Sequence, residues 1–322
     1  MEVCRCALTS CDPTASRPGG AFALLLSACS APAETDPGAT VAVETNLGEV
    51  AVPVDPARVA ALDNTSMQTL MDFGVTPVVV PKPLIARVEG LQAWADDDEI
   101  LDAGSHRAPD LEAISEAQPD LIIGGYRFGS YQDDLERIAT TIDISPDAEA
   151  EGGYVEGLRT QTATLGTIFD QQARAEELIA ELDAAVADAT AATNGQTVFL
   201  GVTTAGKLDN GAGRIGRILE PLNLVDVFSE EHLGSTSHHN NSGLAPETIA
   251  QANPDWLIVF EQDALGSDGY VPSREVIEGQ EALKNTTFVK EGQIIYLPAD
   301  FYVTESIQAY TSVFRTIADR FA

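Results

Sequence analysis

Two stretches far apart in this chain follow the same plan. LEAISEAQPDLIIGG begins at Leu111, and ETIAQANPDWLIVFE begins at Glu247. Each runs through an isoleucine and several small or polar residues, then Pro-Asp, then an apolar stretch. Pro119 and Pro254 stop a helix, and Asp120 and Asp255 suit the turn that follows. Helix, turn and buried strand in that order mark an α/β unit with parallel strands. The two prolines stand 135 residues apart. That is too long a period for a solenoid and fits two similar lobes. A cleft between two such lobes is a natural place for a small ligand.

The stretch between the units has a different character. YVEGLRTQTATLGTIFDQQARAEELIAELDAAVADAT contains no proline and has helical periodicity. It predicts one or two long helices with a break near Asp170. On either side, strand and helix signals alternate. Residues 40–54 predict a hairpin turning near Asn46-Leu47-Gly48. ARVAALD follows as a short buried strand, then NTSMQTLMDFG as a helix with Asn64 or Thr65 as N-cap and Gly74 as C-cap. VTPVVVP, TIDIS, QTVFLGVTT and GQIIYLP predict further strands, residues 129–138 a helix, and residues 304–321 a closing amphipathic helix. The expected organisation is a first α/β lobe over 40–152, helices over 153–193, and a second α/β lobe over 194–322.

Charge narrows the choice of partner. Lys and Arg total 18 against 50 Asp and Glu, a net charge of −32. Such a chain lacks the basic face that nucleic acid requires. All four cysteines, Cys4, Cys6, Cys11 and Cys29, lie in the first 29 residues, so the body of the chain has neither disulfides nor thiolate metal sites. Residues 21–28 read AFALLLSA, and Leu26-Ser27-Ala28-Cys29 resembles a bacterial lipobox. Arg5 and Arg17 precede the apolar run, and small polar residues follow it. The reading is a signal peptide over 1–28, a lipid on Cys29 and a flexible tether over 29–39. The protein is then anchored to the outer face of the cell membrane by lipid, since no other run is long and apolar enough to span a bilayer.

Several stretches together resemble the helical-backbone (class III) solute-binding proteins of iron-siderophore ABC importers. They are LGEVAVPVDPARVAALD with GVTPVVVP, APDLEAISEAQPDLIIGG, PDWLIVFEQD and LKNTTFVKEGQIIYLPADFY. The likeness runs over the body of the chain from about residue 40, and is nearest the lipoprotein branch that binds ferric catecholates. It implies two Rossmann-like lobes with mostly parallel sheets, bridged by one long α-helix. It also implies capture of a ferric siderophore, anionic and of catecholate type, and its delivery to a permease and its ATPase by a monomeric lipoprotein. Haem, cobalamin and ferric hydroxamate are the alternative ligands of the same fold. Iron would be held by the chelate, with no cofactor and no direct protein ligand.

An anionic aromatic chelate calls for guanidinium forks and aromatic surface. Arg127 follows the strand LIIGG directly, and ligands of open α/β sheets bind at that end of a strand. The resemblance assigns a ligand role to Arg127 and, in GAGRIG, to Arg214, with Arg217 as a partner or surface residue. Tyr302 matches an aromatic ligand position, although FYVTES departs there from the family's Trp-Tyr-Leu-Ser-Gly run, which leaves Phe301 as a stacking alternative. Tyr126 adjoins Arg127. Trp94 belongs either to a cleft wall or to a core. His238 or His239 either donates to a catecholate oxygen, ligates iron where the siderophore leaves a site open, or sits in a solvated loop. A direct transition-metal site would draw on His106, His238, Glu261 and Asp300 and would leave the arginines idle. For docking to the permease, the family's acidic positions fall on Glu220 and on Gln68, with Asp72 one helical turn on as a substitute. The chain carries no nucleophile elbow, no Walker loop and no His-Glu-x-x-His, so no enzymatic role is expected.

Overall fold

The computed structural model describes residues 39–229, 244–262 and 270–322. Cys29, the signal peptide and nearly all of the tether, together with His238 and His239, lie outside the described residues.

The expected hairpin comprises β1 (Thr40–Thr45) and β2 (Gly48–Pro53), paired antiparallel with Thr45 opposite Gly48. Gly48 has φ +104, a conformation that favours glycine. Beyond it the first sheet assembles from β3 (Val59–Ala61), β4 (Val79–Val80), β5 (Leu101–Asp102), β6 (Leu121–Ile123) and β7 (Thr141–Ile142). Their order is β5-β4-β3-β6-β7, parallel throughout. The helix after β3 is α1 (Met67–Asp72), and its N-cap is Ser66 rather than Asn64 or Thr65. Thr65 instead turns its hydroxyl to Asp63. The helix before β6 is α2 (Leu111–Glu116), capped by Asp110, whose carboxylate accepts from Ala113 N at 2.9 Å.

The long stretch folds as α3 (Gly153–Ile168) and α4 (Gln172–Ala192), broken where Asp170 takes φ +52. Helix α3 is the bridge. Tyr154, Val155 and Leu158 from its first half are buried in the core of the second lobe. Leu165 and Ile168 from its last turns are buried in the core of the first lobe. Between them, Gln161 donates to Asp63 and Thr65 at the end of β3.

The second sheet contains β8 (Thr197–Thr204), β9 (Lys207–Asn210), β10 (Val225–Asp226), β11 (Trp256–Glu261) and β12 (Ile294–Tyr296). Here β8, β11 and β12 run parallel, β10 adds in parallel to the start of β8, and β9 folds back antiparallel on its end. Strand β9 was not expected: KLDN has no apolar alternation long enough to mark it. Helix α5 (Pro246–Ala252) precedes β11 and ends on Asn253 at φ +45. Helix α6 (Ile307–Phe321) closes the chain, with Ser306 accepting from Ala309 N.

The repeated Pro-Asp units do the same work in both lobes. Asp120 accepts from Ala57 N and Arg58 N, at 2.9 and 3.0 Å, just ahead of β3. Asp255 accepts from Thr197 N and Thr197 Oγ1, both at 2.8 Å, at the start of β8. Each aspartate ties the entry of its own strand to that of the neighbouring strand, so the likeness in sequence is a likeness in structure.

Candidate functional site

Arg127 owes its place to a glycine turn. Strand β6 ends at Ile123, and Gly125 then takes φ +84. A side chain there would put its Cβ 2.2 Å from an Asp143 carboxylate oxygen. The chain can therefore turn sharply into the 3₁₀ segment Tyr126–Tyr131, which carries Arg127 at the carboxyl end of the sheet. On the other lobe, Gly211 lies against the backbone of Gly201, where a Cβ would come within 2.8 Å. That close approach seats the short helix Ala212–Ile215 and with it Arg214.

The two arginines meet at one aromatic ring. Arg127 Cζ lies 5.2 Å from the Tyr302 ring centroid and Arg214 Cζ lies 5.3 Å from it, both within cation–π range. Tyr302 packs on Phe260, with centroids 5.4 Å apart. Around this trio is a cleft of about 560 Å³, lined also by His106, Arg107 and Gln262. Three guanidinium groups thus converge in a chain of net charge −32. Sequence reasoning weighed His106 only as a metal ligand and passed over Arg107 and Gln262. Burial, with Arg127 and Arg107 nearby, holds the His106 imidazole below its ordinary pKa, so it is neutral at neutral pH.

Beneath the cleft lies a buried carboxylate. Glu305 is 1% exposed and takes φ +44, a left-handed conformation that costs a non-glycine residue energy. Its Oε2 accepts from the Tyr126 hydroxyl and lies 3.8 Å from Arg127 Nη2. Its Oε1 lies 3.5 Å from Arg217 Nη1, and its carbonyl accepts from the Tyr154 hydroxyl at 2.8 Å. Arg127 Nη2 also donates to the Tyr302 carbonyl at 3.0 Å, while its Nε has no hydrogen-bond partner among the described residues. Burial pushes the Glu305 carboxyl upward, opposed by the Tyr126 hydrogen bond and the two guanidinium groups. The segment Phe301–Ser306 is tied back to the first lobe through Asn64, which donates to the Val303 carbonyl, and Gln68, which accepts from Ser306.

Other residues singled out from sequence lie elsewhere. Trp94 is 6% exposed in the core of the first lobe, and Phe301 is 1% exposed in that of the second, so neither offers a stacking face to the cleft. Tyr126 spends its hydroxyl on Glu305. Arg217 stacks on Tyr154 at 4.7 Å and pairs with Glu305, which makes it a partner residue. Glu220 is exposed, but its Oε2 accepts from Tyr154 N at 3.0 Å, in the first turn of α3. Asp72 forms a two-pronged pair with Arg174 of α4, at 2.9 and 3.1 Å. Of the metal candidates, Glu261 accepts from Ser273 N and Tyr270, and Asp300 from Glu89 N. No group of three or more His, Cys, Asp or Glu among the described residues is arranged to hold a metal ion. Nor is any described helix long and apolar enough to cross a membrane.

The chain is similar to known proteins. Over 311 residues the chain is 26% identical to the petrobactin-binding protein YclQ of Bacillus subtilis, covering 92% of this chain and 95% of the relative. It is 25% identical over 309 residues to the ferric-anguibactin-binding protein FatB of Vibrio anguillarum, covering 93% and 88%. The crystal structure of the periplasmic catecholate-siderophore binding protein VctP of Vibrio cholerae superposes with a TM-score of 0.75 at 26% identity, covering 88% of this chain and 99% of that one. The family model for periplasmic binding proteins matches residues 59–301, from β3 to the threshold of Glu305, and the chain belongs to that family.

Proposed function

We propose that this chain is the extracytoplasmic substrate-binding lipoprotein of an ABC importer, and that it captures an anionic ferric siderophore in the cleft between its lobes. The observation that carries this reading is the convergence of Arg127 and Arg214, one from each lobe, on Tyr302. A guanidinium fork pairs with the oxygens of an anionic chelate, and the aromatic ring offers a face to its catecholate rings. The relatives named for petrobactin, ferric anguibactin and catecholate siderophores support the same class of ligand. Iron stays within the chelate, and the protein contributes charge, shape and hydrogen bonds. The role is binding and delivery rather than catalysis.

In this reading Cys29 carries the lipid, the protein works as a monomer, and Glu220 on one lobe and Gln68 on the other, with Asp72 as its acidic substitute, face the permease. The deciding experiment titrates the purified protein with ferric catecholate, ferric hydroxamate, haemin and cobalamin by calorimetry. A sub-micromolar midpoint for the catecholate, on the order of −8 kcal/mol or better, is expected. Tighter binding of haemin or cobalamin would overturn the assignment. Replacing Cys29 with Ser is expected to release the protein from cells into the medium.

A further inference from the structure

Glu305 stands out as a costly residue with no part in the ligand contacts. It combines a buried carboxylate with a left-handed backbone, and both carry a free-energy cost. Such a group persists where its surroundings over-determine it, and here four side chains from distant parts of the chain surround it. Its position is informative. It is buried and does not line the cleft, yet it lies 3.8 Å from Arg127, which does. Arg217, the other guanidinium at Glu305, does not line the cleft. The carboxylate therefore draws on a charge that the ligand also uses.

We propose that Glu305 tunes the ligand charge the cleft accepts, narrowing the advantage that its arginines give highly charged ferric complexes over those of low net negative charge. The inference rests on the chelate-binding reading and refines it. Arg107, Arg127 and Arg214 supply three positive charges to the cleft, and His106 is neutral at neutral pH. The Glu305 carboxylate, held by Tyr126, Arg127 and Arg217 against the upward push of burial, lies 3.8 Å from Arg127 and when ionised offsets part of that field. A ligand bearing one negative charge meets enough positive potential to bind. A trianion gains three times the attraction of the arginines but also meets three times the repulsion from Glu305, so the carboxylate narrows the advantage of the more highly charged ligand. Glu305 thereby acts as a specificity-determining residue without touching the ligand.

The test compares two synthetic probes of matched aromatic surface by calorimetry. One is a ferric tetradentate bis-catecholate, which is monoanionic, and the other a ferric hexadentate tris-catecholate, which is trianionic. Wild type, Glu305→Gln and Glu305→Gly are titrated with each. The glutamine keeps an acceptor for Tyr126, and the glycine suits φ +44, so the pair guards against loss of fold. Both variants are expected to raise the trianion-to-monoanion affinity ratio by roughly tenfold or more, because the two ligands differ by two units of charge in their Coulomb interaction with Glu305. A ratio changed by less than about twofold, or equal weakening of both probes, overturns the proposal and leaves Glu305 a purely structural anchor. Failure of wild type to bind either probe overturns the chelate-binding reading itself, and the charge rule with it.

Discussion

Replacing Asp63 with Asn should change how the stability of the protein depends on pH. Asp63 is 0% exposed at the end of β3. It accepts from Thr65 N at 2.9 Å, Thr65 Oγ1 at 2.8 Å and Gln161 Nε2 at 2.9 Å, the last from the bridging helix. Burial dominates over these hydrogen bonds and pushes its carboxyl from an ordinary 3.8 up to about 7, with Asp143 adding repulsion. The folded state therefore holds this proton more tightly than the unfolded chain does. Between those two values the folded protein binds more protons, so stability falls as pH rises. The stabilisation is fully present below the unfolded pKa and is lost as pH climbs through the folded one. A shift of that size corresponds to about 4 kcal/mol over the whole window, of which roughly 2–3 kcal/mol falls between about pH 5 and about pH 8. Asn has no such proton. In urea unfolding at a series of pH values, the variant should gain roughly 2–3 kcal/mol relative to wild type across that interval. Parallel curves, with the difference constant to within about 0.5 kcal/mol, would refute the argument. They would mean that the three donors at Asp63 hold it ionised despite its burial.

Three further outcomes are expected. Arg127→Ala and Arg214→Ala should each weaken an anionic ferric complex by about 10- to 100-fold, as loss of a charge-assisted hydrogen bond implies, and a neutral chelate far less; equal losses by calorimetry would argue against charge recognition. Gly125→Ala should cost about 1–3 kcal/mol in thermal unfolding and lower ligand affinity as well, because its Cβ would meet Asp143 and the backbone that seats Arg127 must shift. Glu220→Gln keeps an acceptor for Tyr154 N and should leave stability and binding unchanged while slowing uptake in cells; normal uptake by Glu220→Arg would remove it from the permease-facing surface.

Much of this protein was legible without coordinates, because the relevant rules are local. At Pro119 and Pro254 the Pro-Asp pair follows a helical pattern and precedes an apolar run, which reads as helix, turn and strand, so the two lobes could be placed from those prolines. Helical periodicity with a break near Asp170 left one or two long helices open, which the structure resolves as two, and Arg127 just past a buried strand pointed to the cleft it lines. What local rules do not contain is the pairing of residues that only the packed lobes bring together. Trp94 and Phe301 have the composition of a ligand wall, and only packing shows that they are core. Glu220 reads as a free surface acid, yet it serves the first turn of α3, 66 residues earlier in the chain. His106 and Arg107 sit in a short hairpin with no signal of their own and reach the cleft because Gly104–Ser105 pairs with Ala108–Pro109. Above all, Glu305 lies 179 residues from Tyr126 and 88 from Arg217. Its burial, its partners and its place beside Arg127 arise from how the segment after Phe301 threads between the two lobes. Periodicity and turn chemistry act over a few residues, whereas the field in the cleft is a sum over groups brought together from the whole chain.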